Sequence, residues 1–300
     1  MTKLNRQDTT IAVLALVKYG NVAPRLMEAL LRYYGTIEMI LASDAGTLMA
    51  ISGITPEIAN SIAQSSDYLS EAKTYYQLLQ DKSIHILTRF DKEYPHNLFE
   101  LHNPPTVLFY RGSFPEPQKK SVTIVGTQIA SIEGIEFTTS IAKKFAESGV
   151  QVISGLQTGI NVSSHLGARA NEGKTFAILE SGLEQIYPEE NRPVAIDVVQ
   201  NGGLISEFTE DTEFENENVE SSNRLLAAMS QAVIVTEFYK DDTFVYDILD
   251  CCAEIGKMVF VLINPKHNLV DTEALNYAVK SGAIPLVGLE TLEDISKSLV

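Results

Sequence analysis

Ser154-Gly155-Leu156-Gln157-Thr158-Gly159-Ile160-Asn161 is the segment of this 300-residue chain whose residue types and spacing best suit chemistry. It closes an apolar, β-branched run, VQVISG, and opens a helix-like stretch. Two glycines four positions apart at a strand end let the backbone approach a ligand closely. N–H groups at the start of the following helix attract an anion. Asn161 reads as the cap of that helix, and His165 lies one turn later on the same face. Two readings stay open: a cradle for an anion or nucleotide, or a capped turn packed into the core. His165 alone fits a structural role better than a catalytic one. Val125-Gly126-Thr127-Gln128 repeats the pattern after another strand-like run, and a simple tight turn explains it equally well. Gly182 to Asn191, with Pro188 starting a helix and acids in its first turn, reads by itself as a well-capped loop.

Other chemistries find no support. There is no Ser-His-Asp arrangement, zinc-ligand spacing, Walker lysine or paired-carboxylate geometry to build on. The only two cysteines, Cys251 and Cys252, are adjacent in a helix-like stretch and read as reduced, partly buried thiols. The expectation is a protein that is not an enzyme and uses no metal or cofactor.

The elements that must hold these turns change character near Ser121. Before it, TIAVLALVKYG and RLMEALLRYYG place apolar residues at helical spacing and stop at glycine. ISGITPEIANSIAQ reads as a hairpin between two helices, with Pro56 in the first turn of the second. SEAKTYYQLLQDK is a further helix, and a short mixed segment leads to Pro115 and Pro117, a plausible boundary. After Ser121, strand-like runs SVTIVG, VQVISG, TFAILE, GLISEF, AVIVTEF, MVFVLI and AIPLVG alternate with helix-like stretches. That alternation implies βαβ units and a mostly parallel sheet covered on both faces. Ligands of such sheets bind at the carboxyl ends of the strands. The predicted organisation is α/β: a small helical domain with an entry segment over 1–115, then a Rossmann-like domain over 116–300.

Charge limits the ligand. The net charge is −16. Residues 1–115 hold ten Lys or Arg against eleven Asp or Glu, whereas 116–300 hold thirteen against twenty-eight. A nucleic-acid track relies on Lys and Arg beside phosphates, so the second domain disfavours unspecific binding unless its cations cluster. Residues 207–220, EFTEDTEFENENVE, hold seven acids and no base and read as a solvated surface loop. No run approaches the roughly 18 apolar residues of a membrane span. The polar start MTKLNRQDTT has no signal-peptide core, so the expected location is cytoplasmic, with no membrane contact.

From about residue 10 to 288 the chain resembles the DNA-processing protein A (DprA, or Smf) family. Val125-Gly126-Thr127-Gln128 answers the family's VGSR. Ser154-Gly155 through Gly159-Ile160-Asn161, with His165, answers SGxAxGID and its later histidine. Gly182 followed by Tyr187-Pro188 and Asn191 matches the next motif, and Ile205-Ser206-Glu207 the one after. Asn223-Arg224 through Ser230 answers FPxRNRxIAGLS, and Asn276 with Gly282-Ala283 matches the late Asn and Gly-Ala. The resemblance implies an extended Rossmann-like domain behind a sterile-alpha-motif-like helical one. It also implies binding of single-stranded DNA, homodimerisation, and handing of that DNA to the RecA recombinase during transformation. The family's C-terminal winged-helix module finds no counterpart before Val300, so a member without it is expected.

The departures are chemical. The Arg of VGSR is Gln128, the Asp of GID is Asn161, and the cationic FPxR segment is Val219-Glu220-Ser221-Ser222, leaving Arg224. Weaker binding than the family's is therefore expected. The expected DNA or phosphate contacts are Gly126, Thr127, Ser154, Gly155, Gly159, Asn161, His165, Asn223, Arg224 and Asn276. Lys143, Lys144 and Arg169 are lesser candidates for an edge contact. The hairpin at Gly53, where Thr55 replaces a second glycine, reads as packing. A nucleotide or nucleotide-derivative sensing module on the same scaffold is the alternative. Nucleotide hydrolysis ranks last, because the glycine-rich PGGxGTxxE run of the family that performs it is missing.

Overall fold

The computed structural model describes residues 4–169, 172–264, 269–288 and 292–299. It divides into two compact units, Met1–Phe109 and Tyr110–Val300, six residues before the boundary expected at the proline pair.

The first unit is built from short helices: α1 (Arg6–Leu14), α2 (Pro24–Tyr34), α3 (Ile37–Leu41), α4 (Ala45–Leu48), α5 (Pro56–Ala63) and α6 (Leu69–Asp81). Asn5, Thr36, Asp44 and Thr55 each accept a backbone N–H as N-caps, which ends the orphan donors of the first turns. Leu14, Leu16, Met27, Leu30, Ile40, Leu48, Ile62 and Leu79 form its core. Gly53 holds a φ of +88° ahead of the Thr55 cap, consistent with a turn between packed helices. Strand β1 (His85–Thr88) follows, and β2 (Val107–Gly112) runs across the unit boundary.

The second unit contains all seven strand-like runs as strands: β3 (Ser121–Val125), β4 (Gln151–Gly155), β5 (Thr175–Ile178), β6 (Gly203–Ser206), β7 (Ala232–Val235), β8 (Met258–Ile263) and β9 (Ile284–Val287). They lie in the order β6-β5-β4-β3-β7-β8-β9, and every neighbouring pair is parallel. All residues of β3 to β7 are buried, as expected of a sheet covered on both faces. The connecting helices are α7 (Ile132–Glu147), α8 (Ile160–Ala168), α9 (Arg192–Asn201), α10 (Asn216–Ala228), α11 (Thr243–Glu254) and α12 (Thr272–Lys280), with α13 (Leu292–Ser298) last.

Strand order fixes where helices start. From β3 the chain steps one way through β4, β5 and β6, then the other way through β7, β8 and β9. Right-handed crossovers then put the two sets of helices on opposite faces. The order reverses between β3 and β7, which is the topological switch point of the sheet. Each connecting helix begins at the carboxyl edge and ends at the amino edge.

Candidate functional site

The switch point should hold the ligand, yet this chain fills it with its own side chains. Glu237, directly after β7, is fully buried. Ser131 N–H, the cap residue of α7, donates to both its carboxylate oxygens at 3.1 Å, and the Tyr239 hydroxyl donates to Oε1 at 2.6 Å. A carboxylate therefore stands at the start of α7, where the helix N-terminus would attract a phosphate. Gly134 makes room for it: a Cβ there would overlap the Glu237 carboxylate. Burial and the neighbouring Glu237 push the Tyr239 hydroxyl far above its ordinary range, so it remains a donor. Thr127 closes the same crevice. Its N–H donates to Glu237 O at 2.7 Å and its hydroxyl to Asp242 Oδ1 at 2.9 Å. Asp242 also accepts Tyr239 N–H at 2.8 Å.

The glycines serve this packing. A Cβ on Gly126 would meet Glu237 O at 2.4 Å, and one on Gly155 would meet Asn161 Nδ2 at 2.6 Å. Gly159, with a φ of +72°, is the N-cap of α8, and its Cβ would meet Thr127 O at 2.5 Å. Asn161 is thus not the cap; it lies in the first turn of α8 with its side chain buried over Gly155. The sequence reading missed this because only glycine tolerates the left-handed backbone at that cap. Ser154 donates inward to Ile124 O at 2.6 Å.

His165 is also structural. It is buried, with Nδ1 2.7 Å from Thr175 Oγ1 and Nε2 2.8 Å from Gly155 O. Burial lowers its pKa to about 4, against the smaller opposing effect of the Gly155 carbonyl. A neutral imidazole pins α8 to β4 and β5. On α10, Asn223 is buried and donates to Phe244 O at 3.4 Å. Arg224, the expected DNA cation, is buried too and forms an ion pair with Glu207. Burial raises the Glu207 pKa, with Arg224 pulling it back down. That pair cancels the charge on which the Arg224 expectation rested.

The remaining candidates lie elsewhere. Lys143 and Lys144 are exposed near the end of α7, Lys144 in its last turn, and Arg169 caps the end of α8 and pairs with Asp197. All three therefore sit toward the amino edge, away from the turns they were expected to assist. Asn276 is exposed on α12.

The open part of the carboxyl edge lies one and two strands away, after β4 and β5. A polar cleft of about 770 Å³ is lined by Gln128, Gln157, Thr158 and the 185–190 loop on one hand, and by Arg192, Glu213 and Phe214 on the other. Tyr187 and Phe214 stack with ring centroids 3.9 Å apart and planes 9° apart. Asn191, buried, donates to Leu156 O at 2.8 Å and ties the start of α9 to the β4 turn. Gln157 donates through its amide nitrogen to Glu180, whose pKa burial raises. Among the described residues, Arg192 is the only cation lining this cleft.

The acidic segment is only in part the solvated loop expected from composition: Asp211, Glu213, Glu215, Glu217 and Glu220 are exposed, but its first half is tied into the fold. Gly182 N–H donates to Thr212 O at 2.8 Å and Glu184 N–H to Glu210 O at 2.9 Å, so it braces the β5 loop. Glu210 is buried, Glu207 holds Arg224, and Phe214 supplies half of the ring pair. A period-free acidic run carries no signal for such pairing, although its two phenylalanines are a hint. Tyr187, Gln157 and Gln128 fell inside recognised motifs without being chosen, and Arg192 follows the last motif residue. Among the described residues no group of three or more His, Cys, Asp or Glu could hold a metal ion, and no helix is long and apolar enough to cross a membrane.

Comparison with known proteins agrees with this architecture. Over its full length the chain superposes on the X-ray structure of DNA processing protein A from Streptococcus pneumoniae with a TM-score of 0.75 and 20% identity, covering 99% of that chain. A structure of DNA processing protein A from Helicobacter pylori, described by its single-stranded DNA binding mode, matches 72% of this chain and 95% of its own with a TM-score of 0.61 and 23% identity. Protein Smf of Synechocystis sp. is 29% identical over 228 residues, which is 75% of this chain but 57% of that relative. The chain thus spans less than two thirds of that relative's length. The model of the DNA recombination-mediator protein A family matches residues 85–299, and with its parallel sheet and ordered motifs the chain belongs to that family.

Proposed function

We propose that this protein binds single-stranded DNA, without catalysis, at the carboxyl edge of the sheet, through the cleft beyond β4 and β5. The observation that carries the reading is the stacked Tyr187–Phe214 pair in an open polar cleft, in a chain of this family. Aromatic platforms hold successive bases with little regard to sequence, and each stacked base contributes about 1–3 kcal/mol. Base stacking suits this edge because its charge does not suit phosphate: one arginine faces Glu189, Glu190 and Glu213. Binding is accordingly weak and, with one cation at the cleft, only modestly salt-dependent. The reading extends to passing DNA to a RecA-type recombinase in the cytoplasm during DNA uptake. It extends also to a homodimer, for which the edge strand β9, with Ile284 and Val287 half exposed, offers a surface.

Anisotropy of a fluorescent single-stranded oligomer at low and moderate salt tests this, with the matching duplex as control. The reading expects saturable binding of the single strand at low salt, modestly reduced by salt and clearly reduced by Tyr187→Ala. A second reading, a module for a nucleotide or nucleotide derivative, is favoured by the solitary Arg192: one cation suits one phosphate better than a strand. Saturation by a mononucleotide with no gain from lengthening the oligomer would put that reading first.

A further inference from the structure

The cleft has an excess of hydrogen-bond acceptors that stacking alone does not use. Glu189, Glu190 and Glu213 line it as exposed carboxylates, acceptors only when ionised. Gln157 adds another. Its amide nitrogen is committed to Glu180, which fixes the flip of the amide and leaves its carbonyl oxygen as the end available to a ligand. Against these stand one guanidinium, Arg192, and the amides of Gln128 and Gln185, which can turn either way. The walls thus ask for a planar ligand whose edge carries several N–H donors together and few carbonyls.

The four bases differ in this respect. Guanine presents N1–H and the N2 amino group side by side, matched by a carboxylate, with O6 beside them for an arginine or amide donor. Cytosine and adenine present one amino group each. Thymine presents a single N3–H between two carbonyl oxygens, both repelled by carboxylates. The Tyr187–Phe214 stack supplies the platform, with Tyr187 43% exposed. Base edges unpaired in a single strand are open to this kind of reading.

We infer that the cleft takes a nucleobase by its Watson–Crick edge and prefers guanine over thymine, with the phosphate left outside. This rests on the single-stranded DNA reading above and goes beyond it by assigning base selectivity to the acidic lining.

The test uses the full chain and short oligo-dT strands that differ only at one central base, in lithium chloride so that guanines do not associate. The expected result is binding of the dG strand at least fivefold tighter than all-dT, with dC and dA between. Glu189→Gln with Glu213→Gln should shrink that ratio toward unity, since each amide adds a donor that thymine accepts. Free guanosine should compete as well as dGMP. The nucleoside competition needs no variant, so it decides even if the double substitution fails to fold. Equal affinity for dG and dT strands, or dGMP competing tenfold better than guanosine, overturns the inference and leaves single-stranded DNA binding standing. If no strand of any composition binds, the underlying reading fails and this one with it.

Discussion

Two halves of one sheet edge, built by the same βα topology, have been put to opposite uses. At the switch point between β3 and β7, Glu237 occupies the start of α7, Thr127 is tied to Glu237 and Asp242, and the turn is closed. Beyond β4 and β5 the edge opens into a cleft with a ring pair, side-chain amides and one arginine. The lesson is that motif positions and ligand positions need not coincide. The glycines, Asn161, His165 and Asn223 build the frame, while Gln128, Thr158 and Tyr187 line the cleft. A sheet edge need not bind where its strand order reverses if the chain brings its own anion there.

The largest expected effect separates these halves on the buried ion pair. Arg224→Ala leaves Glu207 buried without its partner and should cost about 3–5 kcal/mol of stability. Pairing Arg224→Met with Glu207→Leu should recover most of it. Thermal unfolding checks the loss, and the folded fraction should bind oligomer nearly as wild type does. Unchanged stability with lost binding would make Arg224 a DNA contact and break the distinction.

Glu237→Ala acts on the closed half. It strips the Ser131 N–H and the Tyr239 hydroxyl of their acceptor, at a cost of about 1–3 kcal/mol. Added formate should return part of the loss, because an anion can take the vacated helix start. Denaturant melts with and without formate read this. Equal response of wild type and variant would show that the α7 terminus has no anion preference.

Tyr187→Ala acts on the open half. Oligomer affinity should fall by about 1–3 kcal/mol, with the melting temperature little changed because the ring is half exposed.

The buried imidazole sharpens the account of the frame through pH. His165 has a folded pKa of about 4, below the unfolded 6.5. Between those values the unfolded chain binds a proton that the folded chain refuses, so stability falls as pH falls through this window. The slope approaches about 1.4 kcal/mol per pH unit. Glu180 and Glu207, both raised by burial, act in the opposite direction. The histidine's part is therefore the difference in slope between wild type and His165→Gln, measured by denaturant melts between pH 7 and 4.5. No difference would mean that His165 takes up its proton at the same pH folded and unfolded.

The smallest effects come from restored charge. Gln128→Arg adds a cation to the cleft wall and should tighten oligomer binding and steepen its salt slope by about 0.7. Glu220→Arg, exposed on α10 and not among the lining residues, should do less. Anisotropy across a salt series ranks the two.

The fold was legible because period speaks directly: seven β-rich runs between helical stretches became seven parallel strands. The turn after β4 was legible in place but not in role. Gly155 and Gly159 announce close approach, yet sequence does not say whether a phosphate or a neighbouring chain approaches; here Asn161 and Thr127 do. Arg224 failed for a related reason. Its partner Glu207 lies 17 residues earlier, a pairing set by the return of α10 over the sheet rather than by local spacing. The acidic segment was legible as surface for most of its acids but not as a brace, because charge says nothing of backbone pairing, and Thr212 and Glu210 pair with the β5 loop.

Photo-crosslinking of a single-stranded oligomer carrying 5-iododeoxyuridine beside a deoxyguanosine, followed by peptide mapping, tests the location most directly. The account predicts crosslinks within residues 183–192 and at Phe214, abolished by Tyr187→Ala with Phe214→Ala. Crosslinks confined to the turns after β3 and β7, at Thr127 or Tyr239, would contradict it and return the ligand to the switch point.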